Sequence, residues 1–264
     1  MNRTLKLTLH IMLYVVAFML IQFLTMIAVQ HIVPLLGAPA TPDGKMLVAV
    51  SALSSVITLL VFIYARWATV SRVWLASHPW ITLLWVVFLA LGTILPSEWV
   101  QEQLQLTMPD ALVEMFQKIM GEPSGYLAIG ILAPLAEELV FRGAVLRTLL
   151  RLFPDRKHWI AIIISALIFG AVHGNVIQFI HAAAIGLLLG WLYYRTDSIV
   201  PGVAFHWVNN TVAYLMFNLM PQLADGKLID LFHGNTRMMW LGLVFSLCMF
   251  LPSLFQLNMR LRRN

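Results

Sequence analysis

Two adjacent carboxylates, Glu137 and Glu138, stand inside the apolar stretch Ala133-Pro-Leu-Ala-Glu-Glu-Leu-Val-Phe-Arg142-Gly143. A charged side chain at membrane depth costs at least ~2.5–3.5 kcal/mol on insertion scales, so each such group needs a partner or a task. On a helix Arg142 lies one turn beyond Glu138 and can pair with it. Glu137 points about 100° away and has no cation on its own helix. That asymmetry predicts two tasks. Glu138 and Arg142 fix the helix against its neighbours, while Glu137 offers a reactive carboxylate to an internal cavity. The plainer alternatives are one buried structural ion network of all three, or a proton or ion relay.

Two further groups bear on the choice: Phe169-Gly-Ala-Val-His173, and His206-Trp-Val-Asn-Asn210. His206 and Asn210 are one turn apart and share a helix face. Either histidine alone reads as a packing residue. With Glu137 the set comprises a base, two imidazoles and a carboxamide, which suits hydrolysis. Glu137 would take a proton from water and later pass it on, with His173 holding the water and sharing the proton. His206 and Asn210 would donate to the oxyanion of a tetrahedral intermediate, where losing one donor typically costs roughly 2.7–4 kcal/mol.

Other hydrolytic arrangements are missing from the sequence. There is no His-Glu-x-x-His helix, and no Gly-x-Ser-Gly nucleophile, since Gly121-Glu-Pro-Ser-Gly125 has Glu122 where a glycine is needed. No Gly-Asp pair exists for an aspartyl site. Cys248 is the only cysteine, which excludes a disulfide scaffold and cysteine zinc sites.

The elements that must position these groups follow from composition. Of 264 residues, 60% are hydrophobic and 11% charged, less than half the charge a soluble domain of this size carries on its surface. The chain reads as an all-α, polytopic membrane protein of one domain, residues 1–264. A crossing helix needs about 20 apolar residues, and eight candidates answer: residues 7–29, 46–65, 80–96, 126–146, 159–172, 176–194, 199–219 and 239–256. Spans five and six, separated by Gly174 and Asn175, should form a tight antiparallel pair. Span one, too long for a signal peptide, is expected to stay as an anchor.

Basic residues separate by side. Arg3, Lys6, Arg66, Arg72, Arg147, Arg151, Arg156, Lys157, Arg195, Arg260, Arg262 and Arg263 fall on one side, against Lys45, Lys118, Lys227 and Arg237 on the other. The positive-inside rule puts both termini in the cytoplasm, and the same scatter argues against nucleic acid despite the net charge of +5. The acidic connection 97–125 then faces outward and is either a loop or a short interfacial helix. Counting about 1.5 Å per residue sets Glu137 at mid-membrane, His206 nearer the cytoplasm and His173 nearer the opposite face. Tilt, Pro134 and Pro201, or a re-entrant fifth span must bring them together. His181 of the sixth span reads as a packing residue that can also line the cavity.

Glu137-Glu138-x-x-x-Arg142, Phe169-x-x-x-His173 and His206-x-x-x-Asn210, in order on successive spans, resemble the CAAX prenyl protease type II and bacteriocin-processing family of intramembrane endopeptidases. The resemblance covers residues 126–219, the catalytic core by this likeness, and the family is commonly eight-helical. It implies that Glu137 and His173 activate water, that His206 and Asn210 stabilise the oxyanion, and that Glu138 and Arg142 support. The polar cavity would be built from spans four to seven. A two-histidine, one-glutamate zinc site of Glu137, His173 and His206 is the competing arrangement; the metal-free one is preferred because Asn210 suits oxyanion binding and is a poor zinc ligand. Expected partners are membrane lipid and a membrane-associated peptide, prenylated or not, in a bacterial inner membrane. Two rivals remain: a transporter or proton relay, and a non-catalytic adaptor or immunity protein.

Overall fold

The computed structural model describes residues 2–35, 42–153, 155–220 and 227–261. Arg262 and Arg263 of the basic tail lie outside them. In chain order the helices are α1 (Arg3–Leu35), α2 (Gly44–Tyr64), α3 (Arg72–Ala76), α4 (Trp80–Leu104), α5 (Asp110–Met120), α6 (Ala133–Val140), α7 (Arg147–Leu152), α8 (His158–Ala171), α9 (Val176–Thr196), α10 (Val200–Leu219) and α11 (Thr236–Arg260). No strand occurs among the described residues. The protein is all-α and polytopic. Residues Arg3–Ile32 of α1, together with α2, α4, α9 and α11, are long and apolar enough to cross a bilayer by length and composition.

The other three expected spans are helical but less regular. The fourth is a single helical run whose pitch changes: a π stretch, Tyr126–Leu132, then α6, a second π stretch, Phe141–Leu146, and α7. Such wide turns concentrate at functional sites, and here they flank the paired glutamates. The fifth, α8, has 14 residues, and the seventh, α10, has 20. The α8–α9 turn is as tight as expected. Gly174 takes φ +73°, which a side chain would resist, and Asn175 caps α9 by accepting from the Gln178 N–H at 2.9 Å.

The third span departs from expectation. Expected over residues 80–96, α4 continues through Pro96 to Leu104. Thr93 and Ser97 on either side donate their hydroxyls to the Ala90 and Ile94 carbonyls at 2.6 and 2.9 Å. The connection after it contains the short helix, α5, with Ile119 buried and an exposed Glu114–Lys118 ion pair of 2.8 Å. Lys118 draws the Glu114 carboxyl below the usual carboxylate range by hydrogen bond and charge.

Packing places the fourth segment at the centre. Every residue from 138 to 146 is buried, and Phe141, Val140, Phe169 and Ile162 belong to one apolar cluster with Tyr14 and Phe18 of α1 and Phe62 of α2. Outward faces of α1, α2 and α11 instead expose large apolar side chains such as Phe23, Leu60 and Phe245. A lipid-facing surface calls for this, since tails are as apolar as leucine. Glycine permits the closest approaches: a Cβ on Gly92 would strike the Phe250 backbone of α11, and one on Gly170 the Phe179 carbonyl of α9.

Candidate active site

Glu138 and Arg142 meet as their spacing requires. Arg142 Nη1 donates to Glu138 Oε1 at 2.7 Å, with the side chains 1% and 0% exposed. An ion pair so placed is costly to assemble and more costly to break, because either partner alone is a buried unpaired charge. The surroundings are shaped to it. Arg142 Nη2 reaches the Gly186 carbonyl of α9 at 3.5 Å, and its guanidinium lies 4.4 Å from the centre of the Phe169 ring, a cation–π contact. On the other side Glu138 Oε2 presses against Gly202 of α10, where a Cβ would overlap it.

Glu137, one residue away and about 100° around the helix, is not sealed. Its side chain is 21% exposed and faces His206, whose Nε2 lies 3.8 Å from Glu137 Oε2. The opposite ring nitrogen, Nδ1, is 3.4 Å from Glu138 Oε1. One imidazole therefore stands between both glutamates, with Nδ1 donating to the buried carboxylate, which has only lone pairs to offer. Counting depth along upright helices had set His206 and Glu137 at different levels. They meet because α10 enters through Pro201 and seats Gly202 directly on Glu138, so the next turn lands at Glu137.

His173 joins through a ring rather than a hydrogen bond. Phe169 lies edge-on to His173 at 5.0 Å and to His206 at 6.0 Å between centroids. His173 Nδ1 donates to the Phe169 carbonyl at 2.8 Å, which leaves Nε2 as the lone-pair nitrogen. No hydrogen bond or ion pair joins His173 to Glu137 among the described residues. The three side chains of the alternative zinc site are likewise not gathered around a point: among the described residues no group of three His, Cys, Asp or Glu side chains is placed to hold a metal ion.

Asn210 shares the His206 face of α10 and donates through Nδ2 to the Ile129 carbonyl at 3.0 Å. That carbonyl is available for a reason written in the sequence. In the π stretch the Ala133 N–H bonds five residues back, to Ala128. The same pattern would give Ile129 the N–H of residue 134, which is proline and has none. The carboxamide fills the gap with one of its two N–H bonds, and the second stays free for a ligand.

Two features have no counterpart in the sequence analysis. Gly202 is the cradle of Glu138; its place one turn before His206 was the available signal. Tyr126 OH accepts from Trp207 Nε1 at 2.9 Å and lies 3.1 Å from Thr211 Oγ1, tying the first π stretch to α10. His181, which reads from sequence as a packing residue that can also line the cavity, is within electrostatic reach of His206 and His173, and its Nδ1 lies 3.4 Å from Gln101 Nε2 of α4.

Comparison with known proteins bears on the same region. Residues 121–212 match the family model described as type II CAAX prenyl endopeptidase Rce1-like. A Bacillus subtilis (strain 168) protein named "Putative membrane peptidase YdiL" is 27% identical over 106 residues, which is 40% of this chain and 41% of that relative. The chain thus spans about two-fifths of the length of the curated relative it matches. No solved structure matches. The resemblance carried by the Glu-Glu, Phe–His and His–Asn motifs is borne out over the stretch that holds them: the match to the type II CAAX prenyl endopeptidase Rce1-like model, residues 121–212, takes in all three.

Proposed function

We propose that this integral membrane protein is an endopeptidase that hydrolyses peptide bonds of membrane-associated substrates, CAAX-type prenylated peptides among them, by water activated at Glu137. One observation carries the reading: of two neighbouring carboxylates, Glu138 is 0% exposed and bound to Arg142, while Glu137 is 21% exposed and faces an imidazole. The 3.8 Å between Glu137 and His206 Nε2 is too long for a direct hydrogen bond. It suits two groups that share a water or a substrate oxygen between them.

In the proposed cycle Glu137 takes the water proton as the oxygen attacks the scissile carbonyl, and later returns it to the leaving amine. His173 Nε2, the acceptor nitrogen of its ring, holds and aligns the water. Asn210 offers its free N–H to the oxyanion without a change of charge. His206 is the second donor. Since Nδ1 is committed to Glu138, Nε2 donates in the imidazolium form of the ring. Glu138 and Arg142 orient His206 and touch no substrate. A bacterial inner membrane with both termini cytoplasmic belongs to the same proposal.

The test uses purified protein and a Glu137→Ala variant on a peptide library, prenylated and not, with and without a chelator, read by mass spectrometry. Cleavage by the wild type alone, unchanged by chelator, is expected. Cleavage surviving in the variant removes the base, and chelator sensitivity revives a metal. Transport without cleavage would support the relay reading instead.

A further inference from the structure

An open, apolar groove of about 580 Å³ lies between α8, α9 and α11. Leu187 and Trp191 of α9, Leu251 and Phe255 of α11 and Trp159 of α8 line it, and Asn258 is its one lining residue with a side-chain amide. The size is that of a small-molecule site, but the convergent polar groups of such a site are missing. Two stripes run in the same direction: Leu187, Trp191 and Arg195 at four-residue steps on α9, and Leu251, Phe255 and Asn258 on α11.

Both stripes end in one polar clasp. Arg195 Nη2 donates to the Asn258 carbonyl at 3.2 Å and to its carboxamide oxygen, and the guanidinium lies 5.9 Å from the Trp191 ring centre. Arg195 Nε is buried without a hydrogen-bond partner. No carboxylate is within salt-bridge distance of Arg195 among the described residues. Asp197, at the same end, hydrogen-bonds the Tyr193 hydroxyl, which also feels Arg147 and Arg151. The clasp is therefore an uncompensated cation at the basic end of the molecule, closing a channel of exposed apolar side chains.

We propose that this groove seats an acyl chain of an anionic phospholipid from the surrounding bilayer, with its phosphate on Arg195. Apolar walls select a hydrocarbon chain, and a guanidinium with spare donors selects a phosphate oxygen at the chain's polar end. A neutral chain end would leave the cation unmatched.

Trp159 and Trp191 make the proposal measurable. The full-length protein in detergent is titrated with phosphatidylglycerol and with phosphatidylcholine carrying the same brominated acyl chains, which quench indoles on contact. The part of the quenching lost in a Trp159→Phe/Trp191→Phe variant belongs to the groove. That part should half-saturate at roughly fivefold lower phosphatidylglycerol than phosphatidylcholine, the preference one cation confers near an anionic headgroup. Arg195→Gln should reduce the ratio to one. Asn258→Asp, which gives Arg195 a carboxylate while keeping both side chains' bulk, should do the same, so an unfolded Arg195 variant does not decide the matter. Equal half-saturation by the two lipids in the wild type overturns the proposal. So does displacement of either lipid by a farnesylated peptide at lower concentration, or the loss of all groove quenching because a second copy of the chain covers it.

Discussion

Asn210 donates to the carbonyl of Ile129 at 3.0 Å, and Pro134 is the reason that carbonyl needs it. A residue proposed to stabilise an oxyanion thus also repairs the backbone beside the reactive glutamate. The two duties separate in a double-mutant cycle. Asn210→Ala should cost about 1–3 kcal/mol, the usual penalty for a buried group left unpaired. Pro134→Ala restores an N–H to the helix, so in that background the same change should cost roughly 1 kcal/mol less. Thermal melting in detergent measures this. Turnover should stay low in the double variant; if it returns with stability, Asn210 is a backbone brace alone.

The two glutamates should respond oppositely to the same substitution. Glu137→Gln removes a partly exposed carboxylate with no guanidinium partner, so melting should move little while cleavage falls by about 10²–10⁴, the usual contribution of a general base. Glu138→Gln leaves Arg142 as a buried unpaired cation and should destabilise by about 3–5 kcal/mol. Melting and cleavage measured on both variants decide it. Equal loss of stability in the two would mean one shared ion network, without a free base.

How much of this was legible in the sequence differs by level. The pairing of Glu138 with Arg142 follows from helical pitch, and the two meet at 2.7 Å while Glu137 keeps 21% exposure. The helices themselves follow from apolar length. The end of α4 is set short at residue 96 because apolar length marks only the stretch fit for hydrocarbon, and the helix runs on through the polar residues to Leu104. The π stretches around α6 leave no mark in hydrophobic periodicity, so the Ile129–Asn210 bond was hidden. Depth counting failed for His206 because it treats helices as upright rods, and contact at Gly202 depends on how two of them cross.

Gly202 gives a prediction of fit. A Cβ there would overlap Glu138 Oε2, and that carboxylate cannot retreat without leaving Arg142. Gly202→Ala should therefore destabilise by about 1–3 kcal/mol, the range for overpacking a filled interior. Because α10 would be pushed outward, His206 should separate from Glu137, and cleavage should fall more steeply than stability. Glu138→Ala makes the missing room. If the penalty of Gly202→Ala shrinks in that background, the close contact is its cause; if it is unchanged, the glycine serves α10 itself.

His181 is the remaining imidazole near the site, and its bond partner Gln101 comes from α4, outside the stretch that matches the family model. A residue that only packs should act on stability, and one that lines the site should act on cleavage. His181 is within electrostatic reach of both His173 and His206, which sets its ring beside the proposed machinery. His181→Gln keeps a hydrogen-bonding side chain of similar reach to Gln101 and removes the ring. The expected outcome is a melting temperature close to wild type with cleavage reduced about tenfold, or about 1.4 kcal/mol of barrier. Thermal melting in detergent and cleavage rates for both proteins test this. Unchanged cleavage with a lowered melting temperature would return His181 to the packing role that its sequence position suggests.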